Sequence, residues 1–139
     1  MVGALGLCFR TADFREGESA SIAHEIAIYK TMRETLSSAS GALLTEQAQA
    51  ADGPAWDVLQ EAGPGNYQLL LGAFQTDQSV HQINIKPTGL DESTEYQVRS
   101  VDTGVLGSAT GAALMANGID VLQSPNTAAH ILILRAQDR

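Results

Sequence analysis

Gly63-Pro64-Gly65-Asn66, followed by Tyr67-Gln68-Leu69-Leu70-Leu71-Gly72-Ala73-Phe74-Gln75, is the stretch whose reading decides the fold. Two glycines, a proline and an asparagine in a row cannot continue a helix or a ladder, so they mark a turn. In the run that follows, Tyr67, Leu69, Leu71 and Ala73 alternate onto one side while Leu70 and Phe74 fall on the other. A strand covered on both faces is the expectation.

Outward from that strand the same grammar repeats. Short apolar runs lie between clusters of Gly, Pro, Asn and Asp, which predicts strands over Ala42 to Glu46, Trp56 to Glu61, Tyr67 to Gln75, Val80 to Lys86, Glu95 to Val101 and His130 to Arg135. Ile83 and Ile85 alternate with Gln82, Asn84 and Lys86, the pattern of an antiparallel strand buried on one face. Several short strands with a turn signal about every ten residues point to an antiparallel β-sandwich of Greek-key type.

The first forty residues read differently. Gly3 to Arg10 is a short apolar run expected to form a buried strand, and Thr11 to Ser19 is a polar connector. Asp13 and Glu16 have capping-box spacing, and Ser19 is a second candidate N-cap. Ser21 to Leu36 has helical periodicity, with Ile22, Ile26, Tyr29, Met32 (or Arg33) and Leu36 at spacings of three and four. An amphipathic helix is therefore expected, ended by Ser37 to Ser40 with Gly41 as a left-handed cap. This divides the chain into residues 1–38 and a β-domain of residues 39–139. The layout is odd, because a lone strand cannot pair its own backbone groups.

The 139 residues suffice for one domain with a sizeable core. Apolar residues make up 44% but aromatics only 5%, so the core is expected to be aliphatic. A net charge of −8, with no two basic residues adjacent, argues against nucleic acid or an anionic membrane surface as a partner. Cys8 is the single cysteine, which excludes an intrachain disulfide. The apolar start carries no basic residue ahead of it and is too short to span a bilayer, so the cytoplasm is the expected compartment.

The chemistry-bearing patterns are mostly missing. Gly107-Ser108-Ala109-Thr110-Gly111 only approximates a nucleophile elbow and reads as a flexible loop of small residues. His24, His81 and His130 lie on different elements, without metal-ligand spacing, and no metal or cofactor is expected. Gly104-Val105-Leu106-Gly107 is not followed by an amphipathic helix or a Gly-Lys-Ser, so a phosphate cradle is not expected. Asp91, Glu92 and Glu95 read as a solvated turn. Trp56, the single tryptophan, is the candidate sugar-binding residue, because an exposed aromatic face is the usual platform for a sugar ring. Its alternation with Val58 and Gln60 argues for a place in the core instead. Tyr67 and Tyr96 are the other aromatic candidates for such a platform.

Three stretches together resemble a known family. Gly3-Ala4-Leu5-Gly6-Leu7 with Ile26-Ala27-Ile28-Tyr29-Lys30-Thr31-Met32-Arg33 is similar to the last strand and helix of the catalytic barrel in alpha-galactosidases of glycoside hydrolase family 36. Gly41-Ala42-Leu43-Leu44 with Trp56-Asp57-Val58 resembles the opening strands of that family's C-terminal domain. Gly89-Leu90-Asp91, Tyr96-Gln97-Val98 and Leu114-Met115-Ala116-Asn117-Gly118-Ile119 resemble its closing pattern. Families 27 and 31, which also join a barrel to a β-domain, remain alternatives.

The resemblance implies that residues 1–38 are a remnant of the last βα unit of a (β/α)8 barrel and that residues 39–139 are a C-terminal β-sandwich. It implies catalytic aspartates upstream of Met1, hence no catalytic residue and no cofactor here. A barrel, in cis or in trans, is the implied partner through Ile22, Ile26 and Tyr29. An oligosaccharide and a second copy of the chain stand as further candidate partners. The function so implied is a non-catalytic portion of an enzyme acting on alpha-galactosides, with a stand-alone carbohydrate-binding module or a docking domain as alternatives.

Overall fold

A computed structural model describes residues 17–46 and 55–137. The expected strand Gly3 to Arg10, the Asp13–Glu16 capping box and Cys8 lie outside these residues. Among the described residues the chain is mostly β, in antiparallel sheets, with one long helix ahead of them.

The helix, α1, runs Glu18–Ser38, longer than the periodicity indicates. Gly17, at φ 93°, occupies the N-cap with no side-chain cap, so Ser19 lies inside the first turn rather than ahead of it. At the other end the chain leaves the helix through Ala39 in extended conformation. Gly41 is therefore not a left-handed cap. It lies in strand β1 (Ser40–Leu43), where a Cβ would sit 3.3 Å from the Glu61 carboxylate oxygens.

Strands β2 (Trp56–Ala62) and β3 (Gln68–Gln75) flank the predicted turn. That turn is a short 3-10 segment, Pro64–Asn66, with Gly65 at φ 63° and Asn66 at φ 55°. Tyr67 belongs to the turn and is 49% exposed, so it does not share the inward face of Leu69, Leu71 and Ala73. Then come β4 (Gln82–Ile85), β5 (Glu95–Ser100), β6 (Gly104–Thr110), the short helix α2 (Gly111–Asn117), β7 (Ile119–Leu122) and β8 (Ala129–Ala136).

The large sheet has the order β1-β2-β3-β8-β5-β6, with every neighbour antiparallel. The last strand thus inserts between β3 and β5. β4 and β7 form a separate pair. One face of the large sheet presents Trp56, Val58, Leu69, Leu71, Ala73, Tyr96, Val98, Leu132 and Leu134. Ile85 of β4, Val121 of β7, Leu90 and Leu114 of α2 join them in a single core. The core is aliphatic with two aromatics, in keeping with the composition.

Three elements arise that the apolar runs did not reveal. The segment read as a flexible loop forms most of β6, and α2 follows it directly. The Thr110 hydroxyl accepts the Ala113 N–H and so caps α2. Gly111 starts α2 where a Cβ would come 2.1 Å from the Asp91 carbonyl oxygen. Gly118 ends it at φ 75°, with its Cα so close to Asn84 that a Cβ would fall 2.1 Å from Oδ1. Only glycine meets both demands.

The opposite face of the large sheet carries α1, which packs against β2 and β3. Met32 and Thr35 are its buried residues. A Cβ on Gly63 would sit 3.0 Å from the Thr35 Cγ2, so helix and turn meet closely. Among the described residues no helix is long and apolar enough to cross a membrane.

Candidate functional site

Trp56 is 2% exposed. Its Nε1 donates to the Val80 carbonyl at 3.1 Å, and its ring lies 5.7 Å from that of His130, tilted by 42°. The face that would hold a sugar ring is turned into the core, so this residue does not form an open platform. Tyr96 is also buried, at 1% exposure, and its hydroxyl accepts the Asp91 N–H at 3.2 Å. That bond ties the start of β5 to the loop before it. Tyr67 alone of the three aromatic candidates reaches solvent.

The acidic cluster around Asp91 is a structural turn. Asp91 Oδ1 accepts from the Ser93 N–H, the Ser93 hydroxyl and the Thr94 N–H. The Ser93 hydroxyl first, then the backbone N–H groups and Thr94, hold its carboxyl below the ordinary value of 3.8. Asp77 is lowered in the same way by Ser79. Neither carboxyl has the raised pKa expected of a general acid. The histidines are not brought together: His24 is on α1, His81 pairs through Nδ1 with the Gln123 side-chain oxygen, and His130 is buried on β8. Among the described residues no three His, Cys, Asp or Glu side chains converge to hold a metal.

Two clefts remain. The first, of about 330 Å³, lies between α1 and the outer face of the large sheet, bordered by Ala27, Ile28 and Thr31 on one side and Arg99, Ile133 and Arg135 on the other. Arg135 Nη2 donates to Gln68 Oε1 at 3.2 Å. The second, of about 380 Å³, lies at one end of the core, between the β5–β6 turn, β7 and the segment after it. Ser100, Asp102, Thr103, Asp120, Gln123 and His130 give it polar groups, and Leu106, Leu122, Pro125 and Leu132 give it apolar wall.

His130 alternates with Leu132 and Leu134 along β8, so its side chain stands on the core face of the sheet. It is 8% exposed, and its Nε2 is buried without a hydrogen-bond partner. An unpaired buried ring nitrogen costs about 1–3 kcal/mol. Spacing along the sequence sets His130 apart from any metal-ligand set and leaves its burial open. The signal that places it was the His-x-Leu-x-Leu alternation, which puts an imidazole where the next two inward positions are leucine.

Most of the chain has a counterpart of the same fold within larger proteins. A crystal structure of the GH36 alpha-galactosidase AgaA from Geobacillus stearothermophilus matches 91% of this chain with a TM-score of 0.72 at 18% identity. The fold is one found within GH36 alpha-galactosidases. The alpha-galactosidase from Lactobacillus brevis matches 94% of the chain with a TM-score of 0.73 at 14% identity. The galactosidase domain of the alpha-galactosidase–sucrose kinase AgaSK matches 91% with a TM-score of 0.69 at 16% identity. This chain spans only 17–18% of the length of those proteins. The part of the chain left unmatched is shorter than α1, so the likeness takes in helix as well as sheets. No protein-family profile and no curated protein matches the sequence.

Proposed function

We propose that this chain is the C-terminal β-domain portion, with the last barrel helix, of an alpha-galactosidase-like glycoside hydrolase. In this reading residues 1–38 complete the barrel and residues 39–139 form a sandwich whose two layers are the six-stranded and two-stranded sheets. The domain supports a barrel that acts on alpha-galactosides and carries none of the reacting groups.

The observation that carries the reading is the apolar arc of α1, only part of which the sheet covers. At about 100° per residue, Ile28, Met32, Leu36, Tyr29, Ile22 and Ile26 follow one another around the helix as one continuous arc. Met32 is buried at the sheet end of the arc, while Leu36, Tyr29, Ile22 and Ile26 are half-buried. In this reading a barrel contacting Ile22, Ile26 and Tyr29 covers the part of the arc that the sheet leaves open. The shared fold, which takes in helix and sheets in one superposition, supports the same arrangement.

The test is an assay of the purified 139-residue chain on an aryl alpha-galactoside. No turnover is expected. Turnover that disappears on replacing a single carboxylate of this chain would overturn the proposal. Docking on a separately encoded barrel is the variant reading, and Tyr29→Lys separates it: co-purification with an added GH36 barrel is expected to be lost while the fold stays intact.

A further inference from the structure

We infer that the cleft between α1 and the outer face of the large sheet is a binding site for a small organic carboxylate. Its anionic head rests between Arg99 and Arg135, and its apolar body lies on Ile28, Val101 and Ile133. The site goes beyond the barrel-supporting role and stands on the charges and surfaces that meet in this cleft.

Sheet register sets the two arginines side by side. Arg99 of β5 faces Ile133 of β8, and Arg135 faces Gln97, so the arginines are diagonal neighbours with Cα atoms about 7–8 Å apart. Both stand on the outer face, because Tyr96, Val98 and Ser100 on β5 and Leu132 and Leu134 on β8 are the buried positions of the alternation. Like charges so placed repel unless an anion lies between them. Arg135 gives one N–H to Gln68 Oε1 at 3.2 Å, and among the described residues neither arginine makes an ion pair. No carboxylate lines the cleft. Glu95 shares the outer face two positions before Gln97, and Glu25 adjoins His24 on α1, yet neither borders it. In a chain with sixteen acidic and eight basic residues, two guanidiniums with no carboxylate between them run against the average.

The other polar groups of the cleft are three. Thr31 gives its hydroxyl hydrogen to the Ile28 carbonyl at 2.7 Å and keeps an acceptor oxygen. Gln97 and His24 each bring a donor and an acceptor, whereas the arginines only donate. Two guanidiniums repel cations, which removes metal ions and amines. A neutral ligand leaves the repulsion between the arginines in place. A carboxylate or a phosphate takes guanidinium N–H groups in pairs. The apolar share separates these two. Ile28, Val101 and Ile133 line the same cleft, and inorganic phosphate has nothing to lay on them. A carboxylate on a hydrocarbon body matches both halves. The volume of about 330 Å³, at the small end of ligand sites, admits a compact body such as one aromatic ring. At about 100° per residue, His24, Ala27 and Thr31 lie on the side of α1 away from Ile22, Ile26 and Tyr29, so a ligand here and a barrel there do not compete for the helix.

The experiment titrates the full chain with phenylpropionate, its neutral amide, phenylpropylamine and inorganic phosphate at low ionic strength, following amide chemical shifts. Phenylpropionate is expected to saturate with a dissociation constant on the order of 1 mM. It is expected to move residues 24–31 of α1 together with 97–101 and 133–135 of the sheet. Both walls must respond, since a carboxylate held by the arginines alone leaves α1 untouched. The amide, the amine and phosphate are each expected to bind about tenfold more weakly or worse. Arg99→Gln alters an exposed side chain, and Ala27→Glu sets a fixed carboxylate in the cleft from an exposed helix position. Each is expected to weaken phenylpropionate binding about tenfold or more while the core resonances stay in place. No saturable change with phenylpropionate overturns the inference. So do shifts confined to the sheet, an amide or a phosphate that binds as tightly, or binding that both variants leave undiminished. A failure here leaves the barrel-supporting role standing, since that role needs no ligand in the cleft. Phenylpropionate binding by a chain that ignores GH36 barrels would keep the site and remove the role.

Discussion

The two faces of the large sheet are made from the same strands yet are finished differently. On the inner face, Leu69, Leu71 and Leu134 are wholly enclosed by the β4–β7 pair, Leu90 and α2. On the outer face a single helix lies over β2 and β3, with Met32 and Thr35 as its buried contacts and an open cleft beside it over β5 and β8. The inner face is a core that this chain completes by itself. The outer face is only partly covered, by a helix whose Ile22, Ile26, Tyr29 and Leu36 stay half-buried. The difference teaches that the packing which holds the fold together is concentrated on one side of the sheet.

The comparison is broken most severely from the inner side. Leu71→Ala is expected to cost about 3–5 kcal/mol, because a fully enclosed leucine leaves a cavity that cannot collapse. Urea unfolding followed by Trp56 fluorescence measures it, and a loss under about 1 kcal/mol would deny that the inner face is the core. Gly118→Ala comes next, at about 2–3 kcal/mol, since the new methyl meets Asn84 in a left-handed backbone position. It reports on the junction between α2 and the small sheet.

Met32→Ala sharpens the contrast from the outer side. A loss of about 1–2 kcal/mol is expected, smaller than for Leu71, because the vacated space adjoins an open cleft and alanine favours the helix. Equal losses for the two would erase the distinction between the faces.

The smallest effect concerns acid. Asp91 has a lowered carboxyl pKa in the folded chain, so its contribution is fully present above its ordinary value of 3.8 and is lost as pH falls through the lowered value. Melting temperature is expected to drop slightly as pH falls from about 5 to about 3. Asp91→Ala is expected to melt lower at neutral pH and to show a flatter acid limb. An unchanged limb would show that the turn does not depend on the carboxylate.

Legibility followed local pattern. The β2–β3 hairpin with its Gly-Pro-Gly-Asn turn, the half-buried β4 and the buried β8 were readable because alternation and turn residues act within a few positions. β6, α2 and β7 were not, for reasons visible in their residues. Gly104–Thr110 has small or exposed side chains and owes its strand to pairing with β5. Gly111–Asn117 is too short to show a period, and β7 has four residues whose partner lies more than thirty positions upstream. In the cleft beside α1, His24, Arg99 and Arg135 have no sequence relation to one another. Trp56 was readable as a residue that alternates with Val58, and so as core.

By itself the sequence determined that the chain is mostly β with one helix ahead, that its core is aliphatic, and that no familiar catalytic or metal motif is written in a contiguous stretch. These follow from periodicity, composition and spacing, which are properties of neighbours along the chain. Only the tertiary structure decided which aromatic rings are enclosed, which part of α1 meets the sheet, and that the Nε2 of a buried imidazole is left without a partner. Those facts depend on contacts between residues distant in the chain, and no local pattern encodes whether a buried polar atom finds its mate.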